Sequence, residues 1–255
     1  MATVAGFNLT PVKSTAVVSH TGIELGTEGA AGDRRFLFAR LDGSRPSGIS
    51  KAPLLRIRAH WDPTEEILSL TMADGAVVEG TARSRGEAVA VRLFDRSVPA
   101  RPVDPAFDEA VASIDRTLRL MRVDEPEYAG GVHRVSIVSR ASVAEVGRAG
   151  GDERLDARRF RMLVEVGGAG AFAEDGWIGR RVSIGEAVVR VGRAIPRCVM
   201  TTLNPVDGVP DFPTLDVLAR TRKLGGDLPL GVYADVERSG VVRVGDDVVV
   251  LPDRA

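Results

Sequence analysis

The cadence of short apolar runs constrains this chain more than any single motif. Stretches at 4–12, 15–19, 35–41, 54–61, 66–72, 88–94 and 97–103 are strand-like, and Gly, Pro or Asp punctuates the links between many of them. Branched and large apolar side chains fit a pleated surface, and Gly, Pro and Asp supply the backbone angles of tight turns. Asp62-Pro63-Thr64 joins 54–61 to 66–72 as a hairpin, and Asp74-Gly75 turns the chain back into 76–79. Many short strands at this spacing predict a barrel or sandwich rather than a parallel sheet. The composition agrees, with 28 glycines and 14 prolines against only 5% aromatic residues.

Helices are few. Asp104 can cap, Pro105 suits a first turn, and Phe107, Val111, Ile114 and Leu118 recur at helical spacing, so a helix is predicted over 105–117. A strand over 118–123 and an acidic, then Gly-rich loop over 124–132 follow. Further strands are predicted at 135–139, 161–166, 181–184, 187–193 and 198–202, with a loop over 167–176. Helices are predicted over 141–148, ended by Gly150-Gly151, and over 213–222, opened by Pro213. Two last strands, 230–238 and 241–251, turn at Ser239-Gly240. The expected fold class is therefore mainly β with a few helices (α+β). Pro99, Pro102 and Pro105 mark a division into a β-rich domain over 1–95 and a second domain over 96–255.

A net charge of -1 gives no bulk drive toward nucleic acid or a membrane surface, although the basic run 154–161 is a local exception. The opening Met1-Ala2-Thr3-Val4-Ala5-Gly6-Phe7 has no basic segment followed by an apolar core, and no apolar run is long enough to span a bilayer, so a cytoplasmic location is expected. One cysteine excludes an internal disulfide and a cluster held by four thiolates of this chain. His20, His60 and His133 are too scattered to complete a zinc set.

The chemistry concentrates in two places. Pro196-Arg197-Cys198-Val199-Met200-Thr201-Thr202 carries the single cysteine at a predicted strand start. A lone cysteine is commonly a small buried hydrophobe, but a thiolate beside a cation is also a nucleophile and a soft-metal ligand. Pro11-Val12-Lys13-Ser14 and Gly32-Asp33-Arg34-Arg35-Phe36 offer phosphate-binding groups, with one of Arg34 and Arg35 facing inward. Lys13-Ser14 has no glycine loop before it and is not a Walker-type site. Gly168-Ala169-Gly170-Ala171-Phe172-Ala173 resembles a dinucleotide fingerprint, but Glu174-Asp175-Gly176 follows where a helix N-terminus should receive the pyrophosphate.

Taken in order, these stretches resemble the MOSC family, the C-terminal domain of molybdenum-cofactor sulfurases, preceded by the β-barrel domain found in many members. Phe172-Ala173-Glu174-Asp175, Trp177-Ile178-Gly179, Leu230-Gly231-Val232-Tyr233-Ala234 and Val242-Arg243-Val244-Gly245-Asp246 extend the likeness over nearly the whole chain. The arrangement is similar to that of the mitochondrial amidoxime-reducing component and its bacterial counterparts. The resemblance implies a MOSC-like β-barrel packed with an N-terminal β-barrel-like domain, and molybdenum cofactor as ligand. It implies Cys198 as metal ligand and catalytic residue, and cofactor contacts from Lys13, Ser14, Arg34, Arg161 and Arg197. It implies reduction of N-hydroxylated small molecules with electrons from a separate flavoprotein or iron–sulfur protein. Two alternatives go with it: a sulfur carrier that takes a persulfide on Cys198 from a cysteine desulfurase, and a MOSC-like scaffold without its cofactor. The sequence departs from the pattern at Leu163, where relatives carry an amide, and at Asn204-Pro205-Val206-Asp207-Gly208, where they carry Asp-Pro-x-Thr-Gly.

Overall fold

The computed structural model describes residues 1–93, 96–123 and 134–252. The first half runs β1 (Thr3–Leu9), β2 (Val18–His20), β3 (Gly22–Gly26), β4 (Gly29–Ala30), β5 (Phe36–Ala39), β6 (Arg58–Asp62), β7 (Ile67–Thr71), β8 (Val77–Thr81), β9 (Val89–Leu93), β10 (Arg96–Pro102), helix α1 (Ala106–Ala110) and β11 (Arg119–Val123). The second half runs β12 (Val135–Ser139), α2 (Arg140–Gly150), β13 (Val164–Gly167), β14 (Arg181–Ile184), β15 (Ala187–Pro196), α3 (Thr214–Thr221), β16 (Pro229–Arg238), β17 (Gly240–Arg243) and β18 (Val248–Val250). The chain is mainly β with a few short helices, as expected.

An eight-stranded sheet has the order β18-β14-β15-β16-β12-β13-β1-β2, and β17, β3 and β4 form a second sheet. Both wrap one core in which Phe7, Leu25, Ile137, Val164, Val232 and Val242 are buried. Within the large sheet only β12 and β13 pair in parallel. A parallel pair needs a crossover, and α2 supplies it. Ser139 caps α2 by accepting from the Ala141 N–H at 3.2 Å, and Gly151 ends it in the left-handed conformation at φ 84°.

The remaining strands build a smaller body. Sheets β5-β11-β10-β9 and β6-β7-β8 enclose Phe36, Leu68, Leu70, Phe107 and Leu120. Phe36 meets Trp61 edge-on at 4.9 Å between ring centres. The expected division at 95/96 falls between β9 and β10, which pair antiparallel from Arg96↔Leu93 to Ala100↔Val89. β1 belongs to the large sheet, not to the small body.

Several element boundaries differ from expectation for local reasons. The helix expected over 105–117 is a single short turn, α1. Asp104 does accept from the Ala106 N–H at 3.0 Å, but Asp108 accepts from the Leu120 N–H at 2.7 Å and Asp115 from the Thr117 N–H at 2.9 Å. These local acceptors compete with a helix, while Phe107, Val111 and Leu118 still reach the core. The first half of the strand expected at 54–61 belongs to a 3₁₀ segment, Gly48–Arg56, with Pro53 inside it. The last strand splits into β17 and β18 around Gly245, whose φ is 94°. The loop 124–132 and His133 lie outside the described residues. No helix among the described residues is long and apolar enough to cross a membrane.

Candidate functional site

Cys198 does not start a strand. β15 ends at Pro196, and Cys198 is the N-cap of a 3₁₀ turn, Val199–Thr202. The two threonines explain the turn. Thr201 donates through its N–H (3.0 Å) and its hydroxyl (2.9 Å) to the Cys198 carbonyl, and the Thr202 hydroxyl donates to Val199 O at 2.7 Å. Threonine hydroxyls that bond their own backbone divert it from a sheet ladder. The turn is then clamped from below. Arg159 Nη1 (3.1 Å) and Thr214 Oγ1 (2.6 Å) both donate to Thr201 O. Arg159 Nη2 holds both Asp211 oxygens at 3.0 and 3.2 Å, and Asn204 Nδ2 donates to Asp211 at 2.9 Å. The result is an exposed thiol on a fixed backbone.

The second stretch crosses from the large body to the small one directly after β1. Val12 inserts into the small core, and its carbonyl accepts from the Thr10 and Thr15 hydroxyls at 2.8 and 2.7 Å. The Lys13 N–H donates to Phe36 O at 2.7 Å. Ser14 follows in the left-handed region at φ 75°, a position that costs a residue with a side chain and persists where its surroundings fix it. Asp33 is fully buried and accepts from the Thr10 N–H at 2.9 Å. Arg34, also left-handed at φ 48°, pairs with Asp33 and sends Nη2 to Arg161 O at 3.0 Å. Just ahead of β5, Arg34 thus reaches toward the Arg161 turn.

Arg161 does not lie in a strand either. It is the left-handed cap (φ 54°) of the 3₁₀ turn Ala157–Phe160, and β13 begins only at Val164. Its Nη2 is buried without a hydrogen-bond partner. Arg197 donates to Phe160 O and to Met162 Sδ (3.5 Å) and lies over the Phe160 ring, and its Nε is likewise buried without a partner. Burial pulls the Arg161 guanidinium down to about 9; neighbouring Arg34 adds to this, and Asp33 and Cys198 oppose it. Burial pulls Arg197 down to about 10, with Tyr233 and Cys198 opposing. Tyr233 is itself raised by burial and feels Arg197, Arg34, Arg193 and Cys198. Two buried guanidinium groups with unused donors beside a thiol make a site deficient in negative charge.

Sequence reasoning missed Lys51 and Arg159. Lys51 belongs to the Gly48–Arg56 segment, which packs against the cysteine turn and the loop after it. A Cβ on Gly48 would lie 3.9 Å from Val199, and one on Gly208 would lie 2.5 Å from Ala52 O. Burial pulls the Lys51 ammonium down to about 8, with Arg45 and Arg161 adding to this and Cys198 opposing. A lysine in a mostly apolar stretch carries no sequence signal for this. Arg159 sat in a run read only as a local basic exception; it is 3% exposed. Leu163, where relatives carry an amide, is fully buried in the large core. Asn204 is structural, since it also accepts from the Val206 N–H at 2.8 Å. Residues 168–173 lead into a 3₁₀ turn, Ala173–Trp177, and not into an α-helix. A separate cleft of about 620 Å³ between β1, β2 and α2 has Asn8 and Glu165 in its lining. Glu165 already accepts from Asn8 (2.7 Å) and Arg140 (2.9 Å).

Comparison with known proteins gives consistent relatives. Residues 126–249 match the MOSC domain family. The mitochondrial amidoxime-reducing component 1 of Mus musculus is 35% identical over 109 residues, covering 39% of this chain and 32% of that protein. Its Homo sapiens counterpart is 29% identical over 206 residues, covering 74% of this chain and 58% of that protein. The chain thus matches less than two thirds of the length of either. Among solved structures, the YuaD protein of Bacillus subtilis aligns over 97% of this chain and 94% of its own, with a TM-score of 0.48 at 16% identity.

Proposed function

We propose, from the match of residues 126–249 to the MOSC domain family, that the chain binds molybdenum cofactor and serves as a reductase of N-oxygenated small molecules. One observation carries the reading: an exposed thiol stands beside buried guanidinium groups whose donors at Arg161 Nη2 and Arg197 Nε have no partner. A bare cation fits poorly there, because one thiol among cations cannot neutralise it. An anionic ligand that brings a soft metal with it fits both halves of the site.

In this reading Cys198 ligates the metal, and the Arg159–Asp211 clamp fixes where the sulfur stands. Lys13 and Ser14 hold the phosphate, joined by the remaining donors of Arg34. Arg161 and Arg197 offset the ligand's charge from the buried side. When bound, the cofactor would supply two-electron oxygen-transfer chemistry beside Cys198. In this reading the electrons come from a flavoprotein or an iron–sulfur protein. The amidoxime-reducing relatives support a reductase by name, and the cytoplasm remains the proposed location.

The test is metal analysis of protein made in a host that synthesises the cofactor. Near-stoichiometric molybdenum in the wild type, lost in Cys198→Ser, is the expected result; metal-free wild type overturns the reading. The exposure of Cys198 favours one second reading, a persulfide carrier. Incubation with cysteine and a cysteine desulfurase, whose own persulfide passes its outer sulfur to the Cys198 thiol, would then add the mass of one sulfur atom to Cys198, and an acceptor thiol would remove it.

A further inference from the structure

The cofactor reading gives Lys51 no role. Lys51 is half-buried, and among the described residues it has no carboxylate or hydrogen-bond partner. Arg45, Arg161 and Cys198 all act on it electrostatically. It comes from the small body, whose core takes in Leu54 of the same segment and Ile57 at its cap. The Gly208–Ala52 and Gly48–Val199 contacts hold that segment against the cysteine turn. A half-desolvated ammonium on which Arg45 and Arg161 both act unfavourably is stabilised when an anion enters beside it.

We propose that Lys51 is a substrate-specificity residue that binds an anionic group on the molecule reduced at this site, so that the preferred substrates are N-oxygenated organic acids rather than neutral compounds. The proposal rests on the cofactor reading for the reaction and on the Lys51 segment for the selectivity. Lys51 touches the substrate's anion and takes no part in electron transfer.

Two measurements separate these layers. Cys198 is the only cysteine, so alkylation of the full chain, made in a host without the cofactor, reports the field at one sulfur. Anionic iodoacetate and neutral iodoacetamide are the probes. The ratio of their rates falls by about five- to tenfold in Lys51→Gln, as expected for one unit charge several ångströms away in a half-buried site, and is kept in Lys51→Arg. An unchanged ratio in Lys51→Gln overturns the proposal whether or not the protein ever binds molybdenum. In cofactor-loaded protein, Lys51→Gln raises KM for the para-carboxylate of benzamidoxime by about tenfold, with kcat and molybdenum content unchanged and benzamidoxime itself unaffected. Equal losses on both compounds, or loss of molybdenum, overturn it. Metal-free wild type would instead sink the cofactor reading and leave the alkylation result standing.

Discussion

Arg159 shows how much one buried side chain can hold. It is 3% exposed, spans the Thr201 carbonyl and the Asp211 carboxylate, and lies over the Phe212 ring. Arg159→Met keeps the apolar stem and removes every polar contact. It should cost about 2–4 kcal/mol in denaturant unfolding, toward the low end because Asp211 is partly solvated. Glu174 is the other residue with a consequence at this scale. It is fully buried, accepts from Ser142 Oγ at 2.9 Å, and its Oε1 has no partner. Burial raises its carboxyl above the ordinary 4.5. A raised acid binds its proton more tightly folded than unfolded, so its contribution is fully present below 4.5 and is lost as pH rises through the folded value. Glu174→Gln removes that slope. Its stability relative to wild type should therefore increase between pH 4.5 and neutrality. Denaturation at the two ends checks the sign, and a constant difference would show that the carboxyl is not held protonated.

At the scale of elements, the site depends on one contact between two non-strand segments. Gly208 has φ 76°, and a Cβ there would stand 2.5 Å from Ala52 O. Gly208→Ala should cost about 1–3 kcal/mol through strain and displacement. It should also lower the iodoacetate preference of Cys198, because it pushes the Lys51 segment away. A variant that loses stability but keeps the preference would show that the contact does not position Lys51. The same elements explain what the sequence made legible. Strands 135–139 and 181–184 were readable to the residue, because alternation and turn residues agree there. Arg161 and Cys198 were each read as the start of a strand, and no element was assigned to the stretch around Lys51, yet all three lie in a 3₁₀ turn or at its cap. Threonine back-bonding decides the cysteine turn, a left-handed cap the Arg161 turn and serine bonding at Ser47 and Ser50 the Lys51 turn, and an apolar period cannot register them. Cys198, Arg161 and Arg197 were thus visible as residue types, whereas Lys51, Arg159 and the local conformation that aims all of them were not.

At the scale of the molecule, the site lies where the chain passes between its two bodies. Pro11 to Ser14 reach into the small body, the chain returns to the large one for β2 to β4, residues 31–36 cross to the small body again, and the Lys51 segment faces the cysteine turn from the small side. That arrangement tells against 95/96 as a cut between independent units. β1 lies between β13 and β2 in the large sheet, and β10 needs β9. A fragment of residues 96–255 lacks β1, so the edge of β13 and the core side chains Val164 and Val166 would be open to water. Phe7, fully buried, is also gone, and loss of an aromatic side chain from a core alone costs about 3–5 kcal/mol. Such a fragment should be insoluble or lack a cooperative thermal transition. Co-expression with residues 1–95 should restore both, since the missing strands can pair in trans. A cooperative transition in 96–255 alone would show that the large barrel closes without β1. In that case the pocket would need the first segment only to supply Lys13, Ser14 and Arg34, and not to hold its own walls together.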